Sequence, residues 1–190
     1  MPFTSKSDLV LALLYGGDTS TSVNAPIGGM TRLEKYVFLV SKETDALSQL
    51  AKPSDRYEFT PYKMGPFSPE VYDETDFLKA LGLISDSPYS DSTGAAEVEL
   101  DALVGDQVLD KYQRTDSRSV VAEDSTLRLT DKGLQVAQRV YASLTCEEQK
   151  FIADLKRRFN QASLKEFLRY VYKKYPEYAI KSEIKEYLDL

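Results

Sequence analysis

The sequence predicts an α+β fold that is mostly helical, with a small antiparallel β-hairpin and a C-terminal helical extension. Three observations predict it. Apolar residues recur at helical spacing along most of the chain, which is typical of amphipathic helices. Helix start signals are found at Ser68, Thr130, Thr145 and Ser163, and only a few short stretches alternate as strands do. With 190 residues, the chain is long enough for one domain with a substantial core.

The chain begins with a short apolar helix rather than a targeting segment. Ser5 or Ser7 can cap a helix that runs to about Tyr15. Its apolar run is short, starts beside Asp8 and is not followed by a convincing cleavage site, so it does not match a signal peptide. No apolar run approaches the roughly 18 residues of a membrane span. We therefore expect a cytoplasmic protein that does not enter the membrane.

The second predicted helix runs from Thr31 to about Leu50 and should be central to the core. Thr31 and Glu34 have the spacing of a capping box, and the apolar residues that follow keep a helical period. Pro53 lies just past the predicted end of this helix. Aromatic residues then alternate with polar ones over residues 57–62, which predicts a short strand or extended arm.

The third predicted helix has the clearest signals in the chain. Ser68 can cap its start, and Pro69 has the fixed φ that suits a first helical turn. The helical period continues to about Leu81, and Gly82 stands where a left-handed C-terminal cap belongs. A short apolar run at 83–84 then predicts a strand.

Residues 85–126 are acidic and lack a sustained helical period. They contain ten acidic and three basic residues, a net charge of −7 within a chain of −6. Val98 and Leu100 alternate with acids as in a half-exposed strand, residues 119–122 suggest a weak second strand, and residues 103–112 could instead form a short helix. Because the rest of the chain is nearly neutral, a basic surface can still lie elsewhere.

The C-terminal third is predicted to be helical after one strand. Residues 127–129 form that strand, and Thr130 caps a helix that reaches about Ser143. Two more helices start at capping boxes. These boxes pair Thr145 with Glu148 and Ser163 with Glu166. Pro176 should end the second of these helices, and residues 182–188 could add a last short one.

The predicted order is helix, helix, helix, strand, acidic hairpin, strand, helix, which is the order of a winged helix. We therefore expect a winged-helix-like domain over residues 1–143, with an acidic wing or insert at about 85–126. Residues 144–190 should form a helical extension packed on that domain. The fold by itself does not select a function.

Two stretches resemble known winged-helix families. LRLTDKG at 127–133 resembles the wing-to-helix turn of PadR-like and MarR-like regulators. MTRLEKYVFL at 30–39, followed by YKMGPFSPEVY at 62–72, resembles the Panacea family of SocA-like antitoxin domains, which pair a "KLQKLLYF" helix with a "YGP" turn. That match covers about Thr31 to Leu83, and Met64 departs from the compact triplet. The resemblance implies either neutralisation of a toxin or binding to DNA.

The composition excludes most enzyme chemistry. The chain has no histidine and one cysteine, Cys146, so histidine-based triads, histidine-ligated zinc and intramolecular disulfides are all impossible. Glu147 and Glu148 beside Cys146 oppose thiolate formation. Phosphate-binding and dinucleotide-binding glycine patterns are also missing from the sequence. We therefore predict no enzyme, no catalytic residue, no metal site and no cofactor; an enzyme would need a polar pocket with convergent carboxylates.

The charges separate two candidate surfaces. The helix at 68–81 carries four acids against Lys79, so it would repel a DNA backbone and suits a protein partner better. Its candidate contacts are Glu70, Tyr72, Asp73 and Glu74. Basic residues interleaved with tyrosines towards the C-terminus resemble a nucleic-acid surface, although these aromatics also fit the packed side of two helices. The candidate nucleic-acid contacts are Arg32, Lys35, Lys42, Lys156, Arg157, Arg158, Lys165, Arg169 and Lys173.

The leading hypothesis is a non-enzymatic winged-helix regulator, of the transcription-regulator or antitoxin type, with possible DNA binding through its basic helices. The alternative is a protein-interaction adaptor that uses the same scaffold and does not bind DNA. Thirteen tyrosines and no tryptophan fit a protein-binding surface. A protein partner, or a homodimer formed through the C-terminal helices, is the expected form of association.

Overall fold

A computed structural model describes residues 5–17, 23–44, 56–88 and 125–188. These residues form an α+β fold that is mostly helical, as predicted. The α-helices are α1 (Lys6–Tyr15), α2 (Met30–Glu43), α3 (Pro69–Ala80), α4 (Asp131–Ser143), α5 (Cys146–Phe159) and α6 (Leu164–Lys174), followed by a 3-10 helix (Pro176–Ala179). The strands are β1 (Ile27–Gly28), β2 (Thr60–Tyr62), β3 (Gly65–Phe67), β4 (Ile84–Pro88) and β5 (Ser125–Leu129).

Three strands form one antiparallel sheet in the order β1-β5-β4. Ile84 pairs with Leu129 at one end of the β4–β5 ladder, and Ile27 pairs with Leu127 at the sheet's other edge. β4 and β5 thus form the antiparallel pair expected of the predicted small sheet, and the residues that connect them lie outside the described residues. The strands expected around Val98 and at 119–122, and the alternative helix at 103–112, lie outside the described residues.

The extended arm predicted at 57–62 is one strand of a second, two-stranded hairpin, β2–β3. The partner strand was not predicted, because a Gly-Pro-Phe stretch has little strand propensity. Pro61 pairs with Pro66, and neither residue has an N–H to give to a ladder. The pair that closes the two-residue turn is Tyr62 with Gly65, and the two prolines are the next pair along the hairpin. In an antiparallel ladder, hydrogen-bonded and non-hydrogen-bonded pairs alternate, so the proline pair needs no ladder hydrogen bond and both prolines are tolerated.

Most of the predicted helix ends are confirmed. Ser68 is the N-cap of α3 with Pro69 in its first turn, and Gly82 follows the helix with φ +68°. The Thr130 side chain accepts a hydrogen bond from the N–H of Gly133. The two predicted capping boxes are both formed, with Thr145 and Glu148 at α5 and Ser163 and Glu166 at α6. Pro176 lies two residues after the end of α6 and opens the 3-10 helix.

The capping box predicted at Thr31 and Glu34 is wrong. The N-cap of α2 is Gly29, and Thr31 lies buried inside the helix. The Glu34 carboxylate instead accepts a hydrogen bond from the backbone N–H of Ser68 at 3.0 Å. A tertiary contact therefore replaces the local one. The helix ends at Glu43, and the expected continuation at 45–50 lies outside the described residues.

The expected last helix at 182–188 is present only as turns. The N–H of Leu188 donates to the carbonyls of Ile184 and Lys185, both at 3.0 Å. The side chain of Leu188 is buried, so the turn fastens the end of the described chain to the core.

One hydrophobic core joins both parts of the chain. Leu9 to Leu14 of α1 are all buried, because other elements surround this helix on every side. The rings of Phe159 and Phe167 stack at 4.4 Å, and Phe167 also contacts the ring of Tyr36 from α2 at 5.0 Å. The C-terminal helices thus pack directly on the central helix.

The close approach of α4 to the start of β4 requires a glycine. A Cβ atom at Gly133 would lie 1.9 Å from the Leu83 carbonyl oxygen. This contact brings the first turn of α4 against the residues that follow α3. The position of α3 relative to the sheet therefore depends on Gly133.

Candidate interaction surfaces

The inner face of α3 is fixed by contacts with α1 and α2. Val71, Thr75 and Leu78 are its buried residues, and α1 is the helix that it contacts most. The hydrogen bond from the Ser68 N–H to the Glu34 carboxylate anchors its first turn to α2. The opposite face is consequently presented to solvent in a fixed orientation.

Two of the acids predicted to contact a protein partner are engaged within the chain. The Lys6 ammonium lies 2.8 Å from a Glu70 carboxylate oxygen, and the second Glu70 oxygen accepts from the Glu58 N–H at 3.0 Å. The Ser7 hydroxyl donates to the Glu74 carboxylate. Glu70 and Glu74 therefore fasten α3 to α1 and to the arm before β2, and they are only half exposed.

The other two predicted contacts differ in accessibility. Tyr72 is half-buried, and its ring lies 5.8 Å from the ring of Phe67. Asp73 is exposed, as is Asp76 three residues later. Asp73 is thus the predicted contact that is most available to a partner.

Two apolar residues of α3 lie on its outer face. Phe77 is 54% exposed and Leu81, one turn later, is 44% exposed. Ala80 between them is also exposed. The helical period of α3 includes Phe77, Leu78 and Leu81 together, so the spacing alone could not show that only Leu78 faces the core. We call Asp73, Asp76, Phe77, Ala80 and Leu81 the outer face of α3.

Three residues predicted to bind nucleic acid are instead buried in the interior. Arg32 is 4% exposed, Lys35 is 1% exposed and Lys156 is fully buried. The Arg32 guanidinium donates to the Phe159 carbonyl at the end of α5. This is a correction to the predicted surface, since a buried cation cannot reach a phosphate without leaving its partners.

Lys35 belongs to a buried ion pair with Glu34. The Lys35 ammonium contacts the Glu34 carboxylate and donates to the Pro66 carbonyl at 2.8 Å. Burial raises the pKa of Glu34, and the neighbouring Lys35 charge offsets only part of that rise. We call Glu34, Lys35, Pro66 and Ser68 the buried clasp. It joins α2 to β3 and to the start of α3.

Lys156 has no carboxylate partner among the described residues. Its ammonium donates to the Leu14 carbonyl at 3.0 Å and to the Ala25 carbonyl at 3.2 Å. Burial lowers the pKa of Lys156 to about 7. The side chain therefore connects the last turn of α1 to the segment that leads into β1.

The remaining basic candidates lie nearer the surface, and some are already occupied. The Arg157 guanidinium pairs with the Asp154 carboxylate. Arg169 donates to the Leu188 carbonyl at 3.0 Å, and the Lys165 ammonium lies 4.6 Å from the centre of the Tyr187 ring. These last two contacts hold the C-terminal turn.

Arg158, Lys42 and Lys173 are the exposed basic candidates that form no ion pair within the described part of the chain. The Arg158 guanidinium carbon lies 4.4 Å from the centre of the Tyr170 ring, and the Lys42 ammonium lies 5.3 Å from that of Tyr178. Of the predicted nucleic-acid contacts, only these three are both exposed and without an ion pair in the described residues, and two of them lie next to half-buried tyrosines.

Other kinds of site find little support in the described residues. Within them, no group of three or more acidic or cysteine side chains could hold a metal ion. None of the helices in this part of the chain is long and apolar enough to cross a membrane. Cys146 is exposed in the first turn of α5.

Comparison with known proteins adds no further constraint. No protein-family model matches the chain, and no curated protein or solved structure shows significant similarity to it. The structure therefore assigns the protein only to the α+β class, mostly helical and with small antiparallel sheets.

Proposed function

We propose that this chain is a non-enzymatic winged-helix regulatory protein, of the antitoxin or transcription-regulator type, that binds a protein partner through the outer face of α3. The strand order supports the winged-helix assignment. The antiparallel pair β4–β5 follows the third helix, and β1, between the first and second helices, pairs with β5. This order of three helices and a three-stranded sheet is the one expected of a winged helix.

The exposed pair Phe77 and Leu81 is the observation that carries the proposed function. Exposed aromatic and aliphatic side chains with a polar rim are typical of protein-binding sites. On α3 the rim is acidic, with Asp73 and Asp76 on the same outer face. A duplex backbone would be repelled by these carboxylates and would gain nothing from the apolar residues. A protein surface can bury both apolar side chains.

The connection between α2 and α3 also favours a protein partner. A DNA-binding helix-turn-helix joins its two helices by a turn of about three or four residues. Here residues 44–68 separate the two helices and include the β2–β3 hairpin. The β2–β3 hairpin and the buried clasp therefore connect α3 to α2 in a different way from the short turn of a DNA-binding helix-turn-helix.

A direct test replaces the apolar pair. The double variant Phe77→Asp/Leu81→Asp should retain the fold, because both side chains are exposed. It should lose co-purification with the product of the neighbouring gene, and should no longer suppress that product's toxicity if the product is a toxin. Ile180→Asp is the matched control, since Ile180 is a 70% exposed apolar residue outside α3.

The proposed function also predicts that the acids of α3 weaken binding to DNA. Wild-type protein should bind duplex DNA weakly at low salt, and Asp73→Lys/Asp76→Lys should increase that affinity by removing repulsion. The proposed function is wrong if wild-type protein binds a duplex with a steep salt dependence and the Phe77/Leu81 variant abolishes that binding.

A further inference from the structure

A row of cations and aromatic rings runs along one side of the C-terminal helices. The Arg158 guanidinium lies over Tyr170, and the Lys174 ammonium lies 5.6 Å from the Tyr170 ring centre and 5.9 Å from that of Tyr175. Tyr175 and Tyr178 both pack edge-on against Phe38. The Lys42 ammonium then lies over Tyr178. We call Arg158, Tyr170, Lys174, Tyr175, Tyr178 and Lys42 the cation–aromatic strip.

We propose that the cation–aromatic strip binds single-stranded nucleic acid. This site is separate from the outer face of α3 and uses different elements, namely the end of α2, the end of α5, α6 and the 3-10 helix. Proteins that bind single strands combine cations that follow the backbone with planar groups on which bases stack. The strip contains both kinds of group in alternation.

Arg158 is the residue that favours stacking. Its guanidinium carbon lies 4.8 Å from the Phe159 ring centre as well as 4.4 Å from that of Tyr170, so the group rests against two rings. The side chain is exposed and has no carboxylate partner among the described residues. A guanidinium that rests against rings and is exposed to solvent can receive a base on its outer side, as an aromatic ring does.

The phosphate contacts come from cations that no neighbouring acid neutralises. Within the strip, Arg158 and Lys42 are exposed, and the described residues place no carboxylate in an ion pair with them. Lys174 pairs with Glu43 instead, and Arg157 pairs with Asp154. Two phosphate contacts predict a weak affinity, with log K falling against log salt at a slope of about −1.4 for a single strand.

The stacking groups favour a single strand over two other anionic ligands. An acidic peptide would use the cations alone and leave the guanidinium plane and rings without a partner. A duplex offers its phosphates but keeps its base faces inside the stack. Only unpaired bases can use both components of the strip.

The test measures fluorescence anisotropy of a labelled deoxythymidine oligomer of about 12 nucleotides at about 50 mM salt, within the roughly 4 to 16 nucleotides of known single-strand sites. Arg158→Ala should weaken binding about fivefold or more, because one stacked base contributes at least about that factor. Arg157→Ala is the matched control: it removes the adjacent charge, which Asp154 already neutralises, and should change the affinity less than twofold.

Arg158→Lys separates stacking from charge, because lysine keeps the charge and loses the plane. It should bind almost as weakly as Arg158→Ala but keep the wild-type salt slope. The proposal is overturned by equal losses in the Arg157 and Arg158 alanine variants, by wild-type affinity in Arg158→Lys, or by no binding at low salt. A duplex of the same length, or polyglutamate, that binds as tightly as the oligomer would also overturn it.

Discussion

The ammonium of Lys156 donates to the carbonyl of Leu14 at 3.0 Å, inside the core and 142 residues away in sequence. Ala25 provides the second carbonyl. A lysine held only by carbonyls keeps its hydrogen bonds but loses the solvation of its charge, so burial lowers its pKa to about 7 from 10.5. Protonation of this one side chain therefore opposes folding.

The stability of the protein should rise with pH between about 7 and 10.5, the window set by the folded and ordinary pKa values of Lys156. In that range the unfolded chain holds a proton that the folded chain has lost, so raising the pH favours the folded state. Below about pH 7 both states are protonated and the cost is constant. The total rise could reach several kcal/mol, at about 1.4 kcal/mol per pKa unit.

Chemical denaturation of wild type and of Lys156→Met across this pH range isolates the contribution of Lys156 to the pH dependence of stability. The difference between their unfolding free energies should change steadily with pH in the window. Lys150→Met, which removes an exposed lysine from the same helix, controls for the loss of one charge. A constant difference between wild type and Lys156→Met from pH 7 to 10 would show that Lys156 keeps its ordinary titration.

The buried clasp should be more sensitive to loss of one charge than to loss of both. Glu34→Gln leaves the buried Lys35 charge uncompensated and should destabilise the fold by about 3 to 5 kcal/mol. Glu34→Gln/Lys35→Met removes both charges and should recover part of that loss. Urea unfolding of the three proteins measures this; a double variant less stable than Glu34→Gln would contradict it.

The contact between Gly133 and Leu83 should not accept a methyl group. The Cβ of Gly133→Ala would meet the Leu83 carbonyl oxygen at 1.9 Å, so α4 must shift and the cost should exceed about 2 kcal/mol. Gly82→Ala is the comparison, because its Cβ would meet nothing within 4 Å but its φ is +68°. Its cost should be about 1 to 2 kcal/mol. Thermal unfolding that ranks Gly82→Ala as the more harmful change would argue against this packing.

The ion pair between Lys6 and Glu70, which connects α1 to α3, should contribute little to the free energy of unfolding. Its side chains are 14% and 32% exposed, so a double-mutant cycle with Lys6→Met and Glu70→Gln should give a coupling of about 0.5 to 1 kcal/mol. The coupling should decrease at high salt. A coupling that is unchanged in 1 M salt would indicate a contact that solvent does not screen.

The helix ends are the part of this fold that could be predicted with most detail. The cap at Thr130 and the two boxes at Thr145 and Ser163 form as predicted, and Ser68 is the N-cap before Pro69, although its side chain makes no capping hydrogen bond. Caps depend on residues three positions apart, so the local sequence contains the information that they need. The Thr31–Glu34 prediction failed because a distant backbone N–H competed for the same carboxylate.

The candidate surfaces could be predicted only in part. The acidic character of α3 is visible in the sequence, but its exposed pair Phe77 and Leu81 is not, since a helical period does not show which of several adjacent apolar residues turns inward. Similarly, Lys156 and Arg158 look equivalent in a basic segment. One is fully buried and the other lies exposed on Tyr170.

The sequence by itself determined the fold class, the helix boundaries at their caps, and the absence of histidine-dependent chemistry. These follow from composition and from interactions between residues close together in the chain. The tertiary structure decided which charges are buried and which side of α3 is free. Those outcomes depend on how α1, α2 and α5 pack around one another, and the burial of a side chain depends on neighbours that lie many residues away.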